Sequence, residues 1–368
     1  MTVRQKMDTL RRELDALAAE LGRPACFMEV CGTHTVNACR SGVHALMPEQ
    51  VNLVSGPGCP VCVTAQRYID ALVTLGGRPE VTLATYGDML RVTGAGGSLE
   101  LARSRGADVR VVTSTMEAIE IARAEPSRQV VLAAVGFETT TPATAAAVLK
   151  ARDLELENFS VLTCHKLVIP AMEALIADPS IRIDGFLCPG HVSVIIGARA
   201  YEPIAQRGMP CVIAGFEALQ IMEGIVRLTG QMVRGESRLE NLYPSVVSDD
   251  GNRRAQQLIE RVFEPSPSVW RALGVIDGSG LALREEFASL DAYRRFDIRL
   301  GADQEPAGCR CGEVITGRAK PHECRLFGTI CTPMNPIGPC MVSSEGSCQA
   351  WFKYRRNEHK RPPAGAAV

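Results

Sequence analysis

The sequence predicts an α/β protein of two similar lobes, each a parallel β-sheet flanked by helices, with a third, mostly helical and irregular domain after them. Eight short apolar runs recur between residues 25 and 224, each followed by a turn and a helix-like stretch. Their continuous rather than alternating apolar character suits strands buried on both faces of a parallel sheet. The end of the chain is different. Six of the 14 cysteines lie between residues 309 and 348, in a stretch without helical or strand periodicity. Such a segment needs something other than an apolar core to hold it, and a metal cluster would do.

Residues 1–24 read as one amphipathic helix packing on the C-terminal domain. Met7, Leu10, Leu14, Leu17 and Leu21 repeat at steps of three and four, and Gly22 with Pro24 ends the pattern. The strand candidates are residues 25–30, 51–56, 80–85, 108–113, 129–137, 159–164, 185–190 and 211–216. Helix starts are marked by Ser114-Thr115-Met116-Glu117, which has the form of a capping box, and by Thr141-Pro142. The rhythm falls into two runs of four strands, with residues 124–127 as the joint. The expected domains are therefore 25–125, carrying Cys31, Cys59 and Cys62, then 126–224, then a helical and cysteine-rich domain over 225–368.

Forty basic against 41 acidic residues leave a net charge of -1, which argues against a nucleic-acid footprint or a polybasic membrane patch. No apolar run approaches the roughly 18 residues that span a bilayer. The N-terminus is charged throughout and has no apolar core, so it does not read as a secretory signal. A cytoplasmic compartment is expected, and there clustered cysteines point to metal or redox chemistry rather than structural bridges.

Function in open parallel sheets collects at the carboxyl ends of strands, and the unusual residues fall there. Cys31 and His34 follow the first strand, where a helix N-terminus is expected to lower a thiol pKa. They could ligate a soft metal, form a nucleophilic pair, or be structural. Cys59-Pro60-Val61-Cys62 follows the second strand, as a redox dithiol or half of a metal site. The last cysteines, C-x-C-x12-C-x6-C-x8-C-x7-C, are too irregular for tandem zinc knuckles. Four of them satisfy a [4Fe–4S] cluster and two remain for a redox pair, with structural zinc as the alternative. His322 reads as a surface residue. His165, His191, Glu138 and Glu217 fall at strand ends of the second lobe and together suggest a polar cleft facing the cysteine-bearing lobe. Phosphate-loop, dinucleotide, zinc-protease and serine-hydrolase motifs are absent from the sequence.

In combination, EVCGTHT, SGPGCPVC, TYGDMLRV, GFETTTP, PGHVSVIIG, AGFE, CRCGEVITG, CRLFGTIC and MVSSEGSC resemble the HypD family of hydrogenase maturation factors, over residues 25–355. The resemblance implies a redox-capable scaffold on which iron receives its ligands to form the Fe(CN)2CO group of [NiFe]-hydrogenases. Its implied partners are HypC, in a transient HypCD complex, and the cyanide donor HypE. The implied fold is two α/β domains with a third carrying a [4Fe–4S] cluster. By motif position, Cys31 matches a ligand of the assembling iron, His34 sits in the same motif, and Cys59 and Cys62 match an essential dithiol that is also a candidate metal site. The family pattern selects Cys309, Cys324, Cys331 and Cys348 as cluster ligands and leaves Cys311 and Cys340 as a thiol pair. A stand-alone iron–sulfur disulfide oxidoreductase is the alternative function, and a zinc-stabilised binding protein the third.

Overall fold

The apolar runs all become strands because each is a short, mainly apolar stretch ended by turn formers. In chain order they are β1 (Ala25–Glu29), β2 (Val51–Ser55), β3 (Val81–Thr85), β4 (Asp108–Val111), β5 (Gln129–Gly136), β6 (Phe159–His165), β7 (Gly185–Cys188) and β8 (Cys211–Ile213). The computed structural model describes residues 1–356. Two parallel sheets form, in the orders β2-β1-β7-β8-β9 and β4-β3-β5-β6, with β9 (Leu239–Asn241) at one edge.

The lobes are not the two consecutive runs of strands that the apolar rhythm suggested. One compact unit consists of residues 1–59, 172–251 and 308–356, and the other of residues 60–171 and 252–307. β1 pairs in parallel with β2 through Phe27↔Leu53 and with β7 through Met28↔Phe186. β3 pairs with β4 and β5, and β5 with β6. The boundary expected at 125/126 therefore fails, since β3 and β4 share a sheet with β5 and β6. Apolar runs of similar composition specify burial but not which run lies beside which.

In the first unit the N-terminal helix Val3–Leu21 carries a capping box between Thr2 and Gln5 and ends at Gly22, which adopts φ 65°. Its stripe packs on the helix Ala218–Val233. Leu14 and Ala18 join Phe27, Leu187, Val212 and Ile225 in one core. The cysteine-rich chain from residue 308 belongs to this same unit. It consists of turns and short helices, of which Ser347–Tyr354 packs on the helix Gly32–Ser41 through Ala350, Trp351 and Cys39.

In the second unit the helix Thr115–Ala124 begins at Ser114 as expected, but Glu117 reaches back to the backbone of Thr113 rather than closing a box on Ser114. The region after 225 was expected to be helical. Instead, the helix Arg253–Val262 runs into an antiparallel ribbon, β10 (Phe263–Trp270) with β11 (Gly274–Leu283). Pro265 and Pro267 obscure β10 in the sequence, and a two-stranded ribbon tolerates them because one edge of each strand needs no partner. Phe263, Leu281 and Leu283 enter the core around Leu132, Val148 and Phe159. Among the described residues no helix is long and apolar enough to cross a membrane.

Leu14 is fully buried, so Leu14→Ala is expected to cost about 2–5 kcal/mol. Urea denaturation of the full chain should show that loss as a lower midpoint.

Candidate functional site

Strand order in the first unit reverses at β1: the chain steps to β2 on one side and later to β7, β8 and β9 on the other. A crevice opens above the carboxyl ends of strands at such a reversal. Cys31 stands there, as the N-cap of the helix Gly32–Ser41 in extended backbone. Two glycines let other chain segments close on it. Gly32 N–H donates to Gly58 O at 3.2 Å, and a Cβ on Gly58 would lie 2.2 Å from Cys31 N. A Cβ on Gly32 would lie 2.6 Å from the Cβ of Glu345, whose carboxylate accepts from Thr33 Oγ1 at 2.7 Å. Glu345 comes from the loop between Cys340 and Cys348, so the cysteine-rich segment reaches the helix turn that Cys31 begins.

Burial pushes the Cys31 thiol up to about 12 against the helix-end N–H groups of His34 and Thr33, with the carboxylates of Glu345 and Glu29 adding to the rise. The expected lowering by the helix N-terminus is therefore overturned, because the thiol is only 7% exposed and desolvation outweighs the dipole. Without a metal, Cys31 keeps its proton. Beneath it Glu29 is buried and its carboxyl is also held well above the usual range by desolvation, although Thr35 Oγ1 at 2.5 Å and Ser55 Oγ at 3.0 Å both donate to it.

His34 is fully buried, and desolvation lowers its pKa to about 4. Its Nε2 lies 3.0 Å from Gly215 O. A carbonyl only accepts, so Nε2 carries the proton and Nδ1 presents a lone pair, without a hydrogen-bond partner. The ring leans on Phe216 at 4.9 Å, and exposed His191 stacks on the same phenyl ring at 4.2 Å. The turns after β1, β7 and β8 thus meet around Phe216. Glu217 caps the helix Ala218–Val233 in a box with Gln220, a structural role.

Cys59 and Cys62 are disulfide-bonded and buried. The boundary between the two units runs through this motif, with Cys59 closing one segment and Pro60 opening the other. The six late cysteines converge on one pocket, with Leu326, Phe327 and Met341 as apolar walls. Cys311 Sγ and Cys340 Sγ lie 2.7 Å apart. Cys331 Sγ accepts from Ile337 N at 3.3 Å, and Cys324 Sγ lies 3.8 Å from Gly308 O. Cys309 is raised by burial and then by the neighbouring thiols Cys311, Cys348 and Cys324. No group of three His, Cys, Asp or Glu side chains among the described residues is arranged to hold a single metal ion. His322 is half-buried rather than on the surface, and stacks on Trp351 at 5.2 Å.

Glu138 and His165 lie in the second unit, His191 and Glu217 in the first, so these four do not line one lobe's cleft. Desolvation raises Glu138 to about 7, and its Oε1 accepts from Val168 N at 2.9 Å. Desolvation lowers His165 to about 4, and its Nε2 meets Thr144 Oγ1 at 3.0 Å. Lys166, next to His165 at the end of β6, is fully buried and lowered to about 8 by desolvation. It donates to Ser268 Oγ and lies 4.5 Å over the Tyr68 ring.

The family model described as hydrogenase formation hypA family, HypD, matches residues 5–355. The chain belongs to the HypD family. It is 44% identical over 358 residues to the hydrogenase maturation factor HypD of Escherichia coli, covering 97% of this chain and 96% of that one. It is 45% identical over 347 residues to HypD of Cupriavidus necator, with 92% of each chain covered, and 47% over 348 residues to HypD2 of Bradyrhizobium diazoefficiens, covering 92% and 91%. Its role is therefore in hydrogenase maturation. In this HypD chain the motif reading missed Glu345 and Arg271, which reach Thr33 and the Cys62 carbonyl respectively. Glu345 stands inside the quoted block MVSSEGSC, but a carboxylate there carries no signal until the fold brings it to Thr33.

Gly58→Ala is expected to cost about 1–3 kcal/mol, because the added methyl has only backbone to meet. Chemical denaturation reads that loss. A second expectation concerns pH. His165 titrates near 4 when folded and near 6.5 when unfolded, so its contribution is intact above pH 6.5 and disappears as pH falls toward 4. Over that window stability should drop by about 3 kcal/mol on its account, and His165→Gln should flatten the profile by that amount.

Proposed function

We propose that this chain is the scaffold on which iron, as substrate, acquires cyanide and CO to become Fe(CN)2CO, working with HypC and taking cyanide from HypE. The observation that supports it is the meeting of Gly58, Glu345 and the helix turn Gly32-Thr33-His34 around the buried thiol of Cys31. Low-spin iron with strong-field ligands favours soft thiolate donors. In this reading, iron displaces the Cys31 proton, which is otherwise tightly held, and the N–H groups of His34 and Thr33 then stabilise the thiolate. His34 Nδ1 is an unpartnered acceptor in that motif, and the buried ring, lowered to about 4 by desolvation, stays neutral there.

Cys59 and Cys62 serve as the dithiol that exchanges electrons by making and breaking their disulfide. Cys309, Cys324, Cys331 and Cys348 would hold a [4Fe–4S] cluster. The donor set fits: thiols converge on one apolar pocket, and a cluster spaces its ligands more widely than a single ion does. When bound, the cluster would supply single electrons. Cys311 and Cys340, 2.7 Å apart, are then the adjacent pair able to relay them. The cytoplasm is the proposed working compartment, in keeping with clustered thiols that a reducing environment keeps available for metal and redox chemistry.

The disulfide at Cys59 and Cys62 also favours a second reading, a stand-alone iron–sulfur disulfide oxidoreductase. Infrared spectra of the anaerobic complex with HypC separate the two. Bound CO and cyanide bands are expected, and Cys31→Ala should erase them while the visible cluster absorbance stays. Bands that survive the substitution would remove Cys31 as the iron ligand, and their absence from the unaltered complex would favour the oxidoreductase.

A further inference from the structure

The ribbon β10–β11 reaches the dithiol turn through a residue that no motif announces. Trp270, at the end of β10, bridges Thr64, and Arg271 N–H donates to Val63 O at 2.9 Å. The Arg271 side chain then grips the same turn. Its Nε donates to Cys62 O at 3.1 Å and its Nη2 to Thr64 O at 2.9 Å. The remaining arm donates from Nη1 to the Glu305 carboxylate at 2.5 Å. The guanidinium side chain is 1% exposed, whereas that of Glu305 is 41% exposed. A guanidinium stays charged at any working pH, so a fixed and partly compensated cation is locked against the backbone of Cys62.

We propose that Arg271 is a positioning residue that sets the reduction potential of the Cys59–Cys62 disulfide. The inference rests on the reading of that pair as a redox dithiol and adds the group that tunes it. Reduction breaks one S–S bond with two electrons from a dithiol donor. The donor becomes a disulfide, and its two protons pass to the released sulfurs or to solvent. Electron density grows on sulfur in the process, and a buried cation held beside the turn favours that product, most strongly where water is excluded. A stabilised reduced form makes the disulfide the stronger oxidant. Glu305 acts in the opposite sense by compensating the guanidinium.

The test uses the full chain, anaerobically equilibrated at one pH in mixtures of oxidised and reduced dithiothreitol. Alkylation of free thiols and mass analysis of the peptide holding Cys59 and Cys62 report that pair separately from the other thiols. Arg271→Met should shift the equilibrium about tenfold toward the disulfide, about 30 mV for a two-electron couple. Arg271→Lys, which keeps the charge and loses the fork, should shift it less. Glu305→Gln should move it the other way, and because Glu305 is largely exposed it decides the matter even if Arg271→Met fails to fold. Variants that titrate with the unaltered chain overturn the proposal, as does a Glu305→Gln shift in the same direction as Arg271→Met. If the pair in the unaltered chain does not titrate at all, the redox part of the proposed function falls and this inference with it. A pair that titrates normally but ignores both substitutions removes only Arg271.

Discussion

The thiol site depends on the reversal of strand order at β1. Because β1 pairs in parallel with β2 on one edge and β7 on the other, the turn that follows it lies where open parallel sheets place their functional groups. Cys31 is the residue that the reversal leaves at that turn. The second unit repeats the device, with its order β4-β3-β5-β6 reversing between β3 and β5, and there the turn after β5 carries Glu138. The two lobes are thus alike in topology while differing in the side chain each presents, a thiol in one and a carboxyl in the other.

Burial is what makes both groups unusual. Cys31 and Glu138 sit where few water molecules can reach, and each is held in its neutral form more firmly than in solution. For Cys31 the desolvation cost exceeds the benefit of the helix N-terminus, so the dipole shapes the thiolate only after a metal has displaced the proton. The glycines around it serve the same end. Gly58 and Gly32 have no side chain because the chain at Cys31 and the chain at Glu345 occupy the space a methyl would need. A thiol enclosed by backbone is protected from casual oxidation, which suits a site that waits for a metal.

The residues that bear the chemistry were legible in the sequence because cysteines, histidines and turn glycines stand out at the carboxyl ends of apolar runs. Their company was not. Thr33 gives no hint that Glu345, 312 residues away, will accept its hydroxyl hydrogen. Arg271 sits in a stretch whose prolines disguised a strand, and its role appears only when Trp270 bridges Thr64. His34 was assigned to the iron motif on order alone, whereas its partner Gly215 and its neighbour Phe216 come from the turn after β8.

Local pattern, then, settled which segments are strands, where the first helix stops, and which thiols are candidates, because periodicity, capping and turn chemistry act over a few residues. Tertiary structure decided that β7 and β8 join β1 rather than β5, that the cysteine-rich end packs on the helix after Cys31, and that a thiol at a helix N-terminus is nevertheless protonated. Those outcomes depend on pairings between distant segments and on exclusion of water, and neither is a property of any short stretch of chain.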